Sequence, residues 1–388
     1  MSYAKYERYK DSGVDWLGKI PSDWDLQPAF KYIKENKTKN TGLLENTVLS
    51  LSYGKIIIKP EEKLTGLVPE SFETYQIVEP NDIIIRCTDL QNDKVSLRTG
   101  LVENRGIITS AYLGLKVFQN YNSKFLHYYL HSLDITKAIY KFGTGLRQNL
   151  SFLDFKRLPL VDISLDLQQK IANFLDQKTA QIDQAIALKQ QQIEKLGEYK
   201  QIVIQNAVTK GLNPNAPMKN SGVDWIGDIP EHWEIKKLKF LCNFDTGNKD
   251  TVNAIDDGVY PLFVRSQNIE RIDEFTHDCE AVLTAGDGAG VGKVFHYYKG
   301  KFCFHQRVYM FNNFREISGR YFYYYFSSLF YKVALDGSAK STVDSLRRPM
   351  IANFPIVYPE TQEQLRIVEY LDKKMNRNLC TNKHTKVH

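Results

Sequence analysis

The sequence predicts an α/β protein with two domains in tandem repeat, joined by a long coiled-coil-type helix. Three features predict this fold: a leader that occurs twice, an amphipathic helix start that occurs twice, and an unbroken helical stretch between the two copies. At 388 residues the chain is long enough for two or three domains, each with its own core.

The repeat is explicit in the sequence. Residues 12–24 read SGVDWLGKIPSDW and residues 221–233 read SGVDWIGDIPEHW, with nine of thirteen positions identical at an offset of 209. A second match pairs LQQKIANFLD (167–176) with EQLRIVEYLD (363–372) at an offset of 196. These two matches indicate a tandem duplication. We expect the leader tryptophans Trp16 and Trp24 to pack where the leader enters each body.

The stretch from Leu165 to Gly211 predicts one long helix. Apolar residues recur at heptad spacing in two rows that form an a/d seam, with Leu175, Ile182, Ile186, Ile193, Leu196 and Val203 as its apolar members. Ser164 is the expected N-cap and Gly211 the expected stop. About 36 seam-bearing residues at 1.5 Å each span roughly 54 Å, which favours a spacer that binds a partner. The alternative is an ordinary helix buried in one large core.

The repeats divide the chain into segments. We predict a leader at 1–24, a first body at 25–163, the central helix at 164–211, a proline-containing linker with the second leader at 212–233, a second body at 234–358 and a second helix at 359–388. Within the bodies, strands are predicted at 47–52, 55–58, 82–86, 106–109, 114–118, 260–265, 291–297 and 302–311, and helices at 124–140 and 318–334. Leaders and helices agree between the copies while the bodies differ. This pattern favours two different binding surfaces on one duplicated frame.

Composition narrows the possible partners. A net charge of +6 and a pI near 8.8 favour a polyanionic partner. The N-terminal residues show no signal peptide, and no window has the eighteen apolar residues of a membrane span, so we expect a cytoplasmic protein. The five cysteines, scattered without a CxxC pair, predict reduced thiols rather than a zinc site or a disulfide framework.

Catalytic motifs are absent from the sequence. The glycine-rich GDGAGVGKV (286–294) does not have the spacing of a phosphate loop or of GxGxxG, and we interpret it as a tight turn between strands, with close approach to DNA phosphates as the alternative. There is no Pro-Pro pair, which excludes the Asp/Asn-Pro-Pro-aromatic motif of adenine methyltransferases. His127 and His131 lack an HExxH context and are predicted to be surface or packing residues. The sequence therefore predicts a chain without its own cofactor, metal site or catalytic residues.

Basic and amide side chains cluster at comparable places in the two bodies. Arginine, lysine, glutamine and asparagine are the residue types that contact phosphates and read base edges. The candidate DNA contacts are Arg86, Gln91, Asn92, Lys94, Arg98, Lys141, Arg147, Gln148 and Asn149 in the first body, and Arg265, Gln267, Asn268, Lys293, Gln306, Arg307, Lys340 and Arg347 in the second. The alternative for each run is a solvated basic face.

These features together resemble a known family. The leader SGVDWxGxIPxxW, a variable body, and then GTGLRQNL (143–150) ahead of Pro159 and QQKIANFLD resemble the DNA specificity subunit of type I restriction-modification systems. The resemblance covers nearly the whole chain. It implies two target-recognition domains that each read half of a split site in double-stranded DNA, and helices that dock methyltransferase subunits. It places S-adenosylmethionine in those subunits, and ATP, Mg and cleavage with a restriction/translocase subunit.

One feature departs from the family pattern. Family members pair two long helices, but the 16 residues after Asp372 carry no apolar seam, which predicts a truncated second helix. We therefore expect a methyltransferase subunit, or a second copy of the chain in an antiparallel homodimer, to cover the central seam.

Three alternatives to an active specificity subunit remain. One is a repeat scaffold that binds only protein, and another is the product of a truncated or silent specificity cassette. The third, a self-contained methyltransferase or nuclease, is disfavoured by the missing cofactor motifs. Strong salt dependence of DNA binding distinguishes a DNA-reading subunit from a protein-only scaffold.

Overall fold

A computed structural model of the chain describes residues 6–60, 62, 71–88, 97–139, 150–334 and 345–382, with side chains described as far as Met375. The chain divides into two compact units, residues 1–187 and 188–388. A long helix contributes residues to both. Helices and strands occur in each unit, as the sequence predicts for an α/β protein.

In the residues that the structure describes, the first unit contains strands, two short α-helices and the start of the long helix. In chain order these are β1 (Tyr9–Asp11), β2 (Lys19–Pro21), β3 (Asp25–Pro28), β4 (Ile33–Glu35), β5 (Leu49–Ser52), β6 (Lys55–Ile58), β7 (Gln76–Val78), β8 (Ile83–Ile85), β9 (Thr99–Leu101), β10 (Gly106–Ile108), β11 (Leu113–Val117), α1 (Ser123–Ile135), α2 (Phe152–Phe155), β12 (Pro159–Asp162) and α3 (Leu165–Lys210).

The second unit repeats the plan with longer strands. It contains β13 (Met218–Asn220), β14 (Asp228–Pro230), β15 (Glu234–Lys237), α4 (Leu238–Leu241), β16 (Asn243–Thr246), β17 (Tyr260–Phe263), β18 (Ile269–Ile272), β19 (His277–Ala285), β20 (Phe295–Phe304), β21 (Val308–Asn312), α5 (Gly319–Leu329), α6 (Tyr331–Ala334), α7 (Arg348–Ala352), β22 (Pro355–Tyr358) and α8 (Thr361–Asn382).

The leader has the same structure in both units. It forms a small antiparallel hairpin, β1–β2 or β13–β14, and the next strand pairs with the strand just before the closing helix, as β3–β12 or β15–β22. Trp16 packs edge-on against Tyr129, and Trp225 stacks on Phe354. Trp233 is fully buried. These contacts confirm the predicted packing role of the leader tryptophans.

The two bodies share four strands in one order. The first unit has the antiparallel order β4-β11-β8-β9, and the second unit has β16-β21-β19-β20 in the corresponding positions. The second sheet then continues with β17, parallel to β20, and β18. In the first unit the additional strands form separate pairs, β7–β10 and β5–β6. A common four-stranded arrangement therefore underlies two bodies whose sequences do not align.

Equivalent hydrogen bonds recur at the offset of 196 that relates the two helix starts. The hydroxyl of Tyr129 donates to the carbonyl oxygen of Pro159 at 2.6 Å, and that of Tyr325 donates to the carbonyl of Pro355 at 3.1 Å. The Gln168 side chain likewise accepts from the Asn122 amide, as Gln364 does from Ser318. The duplication therefore includes helix α1 and its counterpart α5, beyond the segments visible as a sequence repeat.

Helix α3 has the predicted bounds and caps. Ser164 caps the first turn of the helix, because its Oγ accepts a hydrogen bond from the Leu167 amide at 3.3 Å. It ends before Gly211, which has a φ of +74°, a conformation that favours glycine. All residues from Thr179 to Ile202 are exposed in this chain. The alternative of a helix buried along its length is therefore wrong.

Some predicted element boundaries are wrong. The strand expected at 291–297 begins only at Phe295, because residues 288–290 form a turn of 3-10 helix. The run expected at 302–311 is two strands, β20 and β21, separated by a turn at 305–307. α1 ends at Ile135, and α8 reaches Asn382, beyond the end of its apolar pattern. In the first three cases the hydrophobic pattern continues past the end of the element, whereas α8 continues past its apolar pattern.

Candidate nucleic-acid interface

Three segments of the second unit converge and carry most of the candidate DNA contacts that the structure describes. They follow β17 (264–268), β19 (286–294) and β20 (305–307). The Gly286 amide donates to the Arg307 carbonyl at 2.8 Å, and the His305 amide donates to the Phe263 carbonyl at 2.9 Å. Gln267 Nε2 donates to the Lys293 carbonyl at 3.1 Å. Residues distant in the sequence thus form one polar surface.

Two arginines on this surface share one carboxylate. Arg265 Nη1 lies 2.9 Å from Asp287 Oδ1, and Arg307 Nη1 lies 2.7 Å from Asp287 Oδ2. The Asp287 side chain is only 14% exposed, whereas those of Arg265 and Arg307 are 43% and 60% exposed. Desolvation acts to raise the pKa of Asp287, but hydrogen bonds and positive charge from both arginines lower it below its ordinary value of 3.8. The carboxylate is therefore ionised at neutral pH and holds both guanidinium groups.

The loop that carries Asp287 is anchored on both sides. The Leu346 amide donates to the Gly286 carbonyl at 2.8 Å, and Asp287 pairs with Ser345 as an antiparallel bridge. A Cβ on Gly290 would lie 2.5 Å from the Arg265 carbonyl oxygen, so only glycine fits there. This confirms the glycine-rich segment as a tight turn between strands, β19 and β20. Its approach to DNA phosphates remains a prediction.

The other described candidates in this unit make contacts of their own. Gln306 Nε2 donates to Asp250 Oδ2 at 2.9 Å, and the Asn268 carbonyl accepts from Ser266 Oγ. Arg347 is exposed at the start of α7, two residues after Ser345. Gln267 and Lys293 also line a cavity of about 660 Å³ together with Arg320 and Tyr323. Six of the seven described candidates in this unit, all but Arg347, thus lie on the three converging segments.

Arg98, in the first unit, does not lie on the surface. The side chain of Arg98 is fully buried, and its Nη1 donates to the carbonyl oxygens of Thr88 at 2.7 Å and Arg86 at 3.3 Å. Its backbone amide donates to the buried Asp134. Arg98 therefore points inward and binds the backbone just after β8, and its prediction as a DNA contact requires correction. A local cluster of basic residues does not reveal which of them turns inward to satisfy carbonyl groups.

Eight candidate residues lie outside the described residues. They are Gln91, Asn92, Lys94, Lys141, Arg147, Gln148, Asn149 and Lys340. Arg86 is described and half-buried at the end of β8.

Asp287 is the residue that sequence reasoning missed. Its signal was an acidic residue between two glycines in a segment otherwise lacking acids, directly before the basic run. The neighbouring glycines resemble a phosphate loop, and that resemblance gives the carboxylate no role. Its arginine partners lie 22 and 20 residues away, so no local pattern connects them.

The seam of α3 is exposed in its middle and buried at its end. Ile182, Ile186, Ile193 and Leu196 are each about 60% exposed, and Leu175 is half-buried. Val203 instead packs against the core of the second unit. The exposed apolar row is therefore shorter than the sequence predicted, and Val203 stabilises its own unit.

The described residues offer no metal site, disulfide or membrane-spanning helix. No group of three or more His, Cys, Asp and Glu side chains there is arranged to hold a metal ion. Cys87, Cys242, Cys279 and Cys303 are free thiols, and all but Cys279 are buried. None of the helices in the described part of the chain is long and apolar enough to cross a membrane.

The second unit matches a known family model. Residues 230–387 match the type I restriction modification DNA specificity domain. The chain is 31% identical over 146 residues to the type I restriction enzyme EcoDI specificity subunit of Escherichia coli, covering 38% of this chain and 32% of that protein. It is 24% identical over 254 residues to the MjaVIII specificity subunit of Methanocaldococcus jannaschii, covering 64% of this chain and 55% of that protein. The matches thus span about a third to just over half of these relatives.

Solved structures match nearly the whole fold. A chain from a structural study of complex assembly and conformational transition of the type I R-M system gives a TM-score of 0.66 at 15% identity, covering 94% of this chain and 93% of that chain. The HsdS subunit from Thermoanaerobacter tengcongensis gives 0.54 at 13% identity, covering 95% and 93%. These matches confirm the fold, and with the family model they confirm the resemblance inferred from the sequence.

Proposed function

We propose that this chain, which carries a type I restriction modification DNA specificity domain at residues 230–387, is the DNA-reading subunit of a type I restriction-modification complex. The observation that carries the proposal is one duplicated frame bearing two different bodies. The frame repeats its hydrogen bonds at an offset of 196, while the loops placed on it differ. A protein that reads two unlike DNA half-sites needs this combination.

Each body reads one half of a bipartite site in double-stranded DNA under this proposal. The target-recognition domains are residues 25–163 and 234–358, flanked by the leaders and helices. In the second domain, Arg265 and Arg307 offer guanidinium groups of the kind that bind guanine edges. The anchored loop between them supports recognition, because a fixed donor discriminates bases better than a mobile one.

Catalysis belongs to partner subunits in this proposal. The methyltransferase subunits supply the S-adenosylmethionine site, and through them a restriction/translocase subunit supplies ATP- and Mg-dependent cleavage. The exposed row Ile182, Ile186, Ile193 and Leu196 is the docking surface for a methyltransferase subunit. A homodimer through the same row is the alternative occupant, and self-association of the purified chain separates the two.

Methylome sequencing tests the proposal. Cells carrying the chain with its methyltransferase subunits are expected to methylate adenine in one bipartite motif. Replacement of residues 234–358 by the corresponding body of a relative is expected to change one half of that motif and leave the other unchanged. A change in both halves contradicts independent reading.

A binding measurement separates this function from a protein-only scaffold. We expect duplex DNA binding whose logarithmic affinity falls linearly with the logarithm of salt concentration. Absence of DNA binding by the chain and by its methyltransferase complex supports the scaffold.

A further inference from the structure

We propose that Asp287 is a positioning residue that holds Arg265 and Arg307 as a pair for reading guanine, and that it prevents the pair from binding DNA phosphates indiscriminately. The inference rests on the proposed DNA-reading function and goes beyond it by assigning specificity to one carboxylate. Asp287 itself does not contact DNA in this arrangement.

The geometry favours base reading over phosphate binding. Each arginine uses one Nη1 on Asp287, at 2.9 and 2.7 Å, and the rest of each guanidinium remains partly exposed. A guanidinium fixed in its plane suits the two parallel hydrogen bonds to guanine O6 and N7. Phosphate binding requires only positive charge, so it gains little from a fixed plane.

The charge of Asp287 opposes phosphate binding. Its carboxylate lies beneath the two cations and cancels one of their two charges. A phosphate that approaches the arginines meets this negative charge at short range, whereas a neutral guanine edge does not. The cluster therefore loses affinity for arbitrary DNA and retains its hydrogen-bond donors for a base.

The surrounding backbone keeps the carboxylate between the arginines. Gly286 is bonded to the Arg307 carbonyl and to the Leu346 amide, and Gly290 packs against the Arg265 carbonyl. In the first unit, the described part of the corresponding strand connection, residues 86–88 and 97–98, contains a buried arginine instead. There the Leu150 amide donates to the Cys87 carbonyl, matching Leu346 and Gly286, and the buried Arg98 donates to the Thr88 carbonyl. The two bodies thus use equivalent connections differently, one with exposed arginines and one with a buried arginine.

The decisive experiment compares Asp287→Asn with wild type in the full chain bound to its methyltransferase subunits. Binding to random-sequence duplex is measured against salt, and the modification motif is determined by methylome sequencing. Loss of one negative charge is expected to raise random-duplex affinity about three- to tenfold. At a guanine in the half-site of the second body, discrimination is expected to fall by about the same factor, while the other half-site is unchanged.

Further variants separate positioning from folding. Asp287→Glu keeps the charge and is expected to keep random-duplex affinity near wild type. Arg265→Lys and Arg307→Lys keep the positive charge but lose the guanidinium fork, so each is expected to lower guanine discrimination about tenfold or more. Asp224→Asn, an exposed charge-matched control in the second leader, is expected to change neither the random-duplex affinity nor the guanine discrimination.

Each outcome decides the inference. If Asp287→Asn leaves both affinity and motif unchanged, or weakens specific and random binding equally, Asp287 does not position the arginines for reading. A wild-type complex that binds DNA but confers no motif overturns the proposed function, and the random-duplex comparison then still tests the charge effect. A wild-type complex that binds no duplex overturns both proposals.

Discussion

Arg320 donates to Asp372 across 2.8 Å between Nη2 and Oδ1, and the pair recurs 196 residues earlier as Lys124 and Asp176, also at 2.8 Å. In both units a tyrosine four residues after the cation donates its hydroxyl to the same carboxylate. Each body is thus joined to its closing helix by one carboxylate that accepts from a cation and a phenol.

The contact of Asp372 with Arg320 and Tyr324 predicts that substitutions of Asp372 lower stability in proportion to the hydrogen bonds that they remove. Asp372→Ala removes the acceptor for both Arg320 and Tyr324 and is expected to lower the free energy of unfolding by about 2 kcal/mol. Asp372→Asn keeps one acceptor oxygen and is expected to cost about half as much. Chemical denaturation followed by tryptophan fluorescence measures both. Glu369→Ala, at an exposed acid on the same helix, is the control and is expected to stay within about 0.5 kcal/mol of wild type. Equal losses for all three variants contradict a specific joint.

Local features of the fold could be predicted, and distant pairings could not. Ser164 and Gly211 delimit α3 because a cap and a left-handed glycine act over one helical turn. The strand Lys55–Ile58 was predicted with its observed bounds. Burial of Arg98 depends on carbonyl groups that the fold collects around it, and the Arg265–Asp287–Arg307 cluster joins three separate segments. Neither leaves a periodic signal in the chain.

The packing role of the α1 histidines predicts a pH effect on the first unit. Burial, together with the charge of His131, lowers the pKa of His127 from 6.5 to about 4. In the unfolded chain the His127 imidazole binds a proton below about pH 6.5, whereas in the folded chain it binds one only below about pH 4. Stability from this group is therefore complete above pH 6.5 and falls as pH drops through this window, by as much as about 3 kcal/mol.

His127→Phe is expected to remove that contribution. The difference in unfolding free energy between variant and wild type should shift in favour of the variant as pH falls from 7 to 4. Denaturation curves at several pH values measure this difference. A difference that is independent of pH shows that His127 becomes protonated without penalty in the folded unit.

The tight packing of the β19–β20 turn predicts that a methyl group added at Gly290 lowers the stability of the second unit. A Cβ on Gly290 meets the Arg265 carbonyl at 2.5 Å and the Ala285 Cβ at 2.9 Å. Ala285 ends β19, and Arg265 is held by Asp287 just after β17. Gly290→Ala is expected to destabilise the unit by about 1–3 kcal/mol and to weaken DNA binding by displacing Arg265. Gly197→Ala is the matched control, because a Cβ there has nothing within 4 Å. It lies inside α3 and is expected to stabilise by about 1 kcal/mol. If both variants behave alike, the turn is not tightly packed.

The exposed seam of α3 predicts that assembly and folding respond differently to one double substitution. Ile186 and Ile193 are 62% and 63% exposed, so Ile186→Asp with Ile193→Asp removes little packing from the chain itself. Two charges in an apolar interface are costly, because each carboxylate loses water without gaining a partner. We expect the variant to lose co-purification with a methyltransferase subunit while its thermal unfolding stays within about 2–4 °C of wild type.

The control places the same charges on the opposite face of the helix. Gln184 and Gln191 stand at the heptad positions facing away from the seam, and both are exposed. Gln184→Asp with Gln191→Asp is therefore expected to keep methyltransferase binding. Light scattering of the chain alone tests the second occupant, since a homodimer through this row dissociates only in the isoleucine variant. A wild-type chain that is monomeric and binds no methyltransferase subunit would show that the row is not a docking surface.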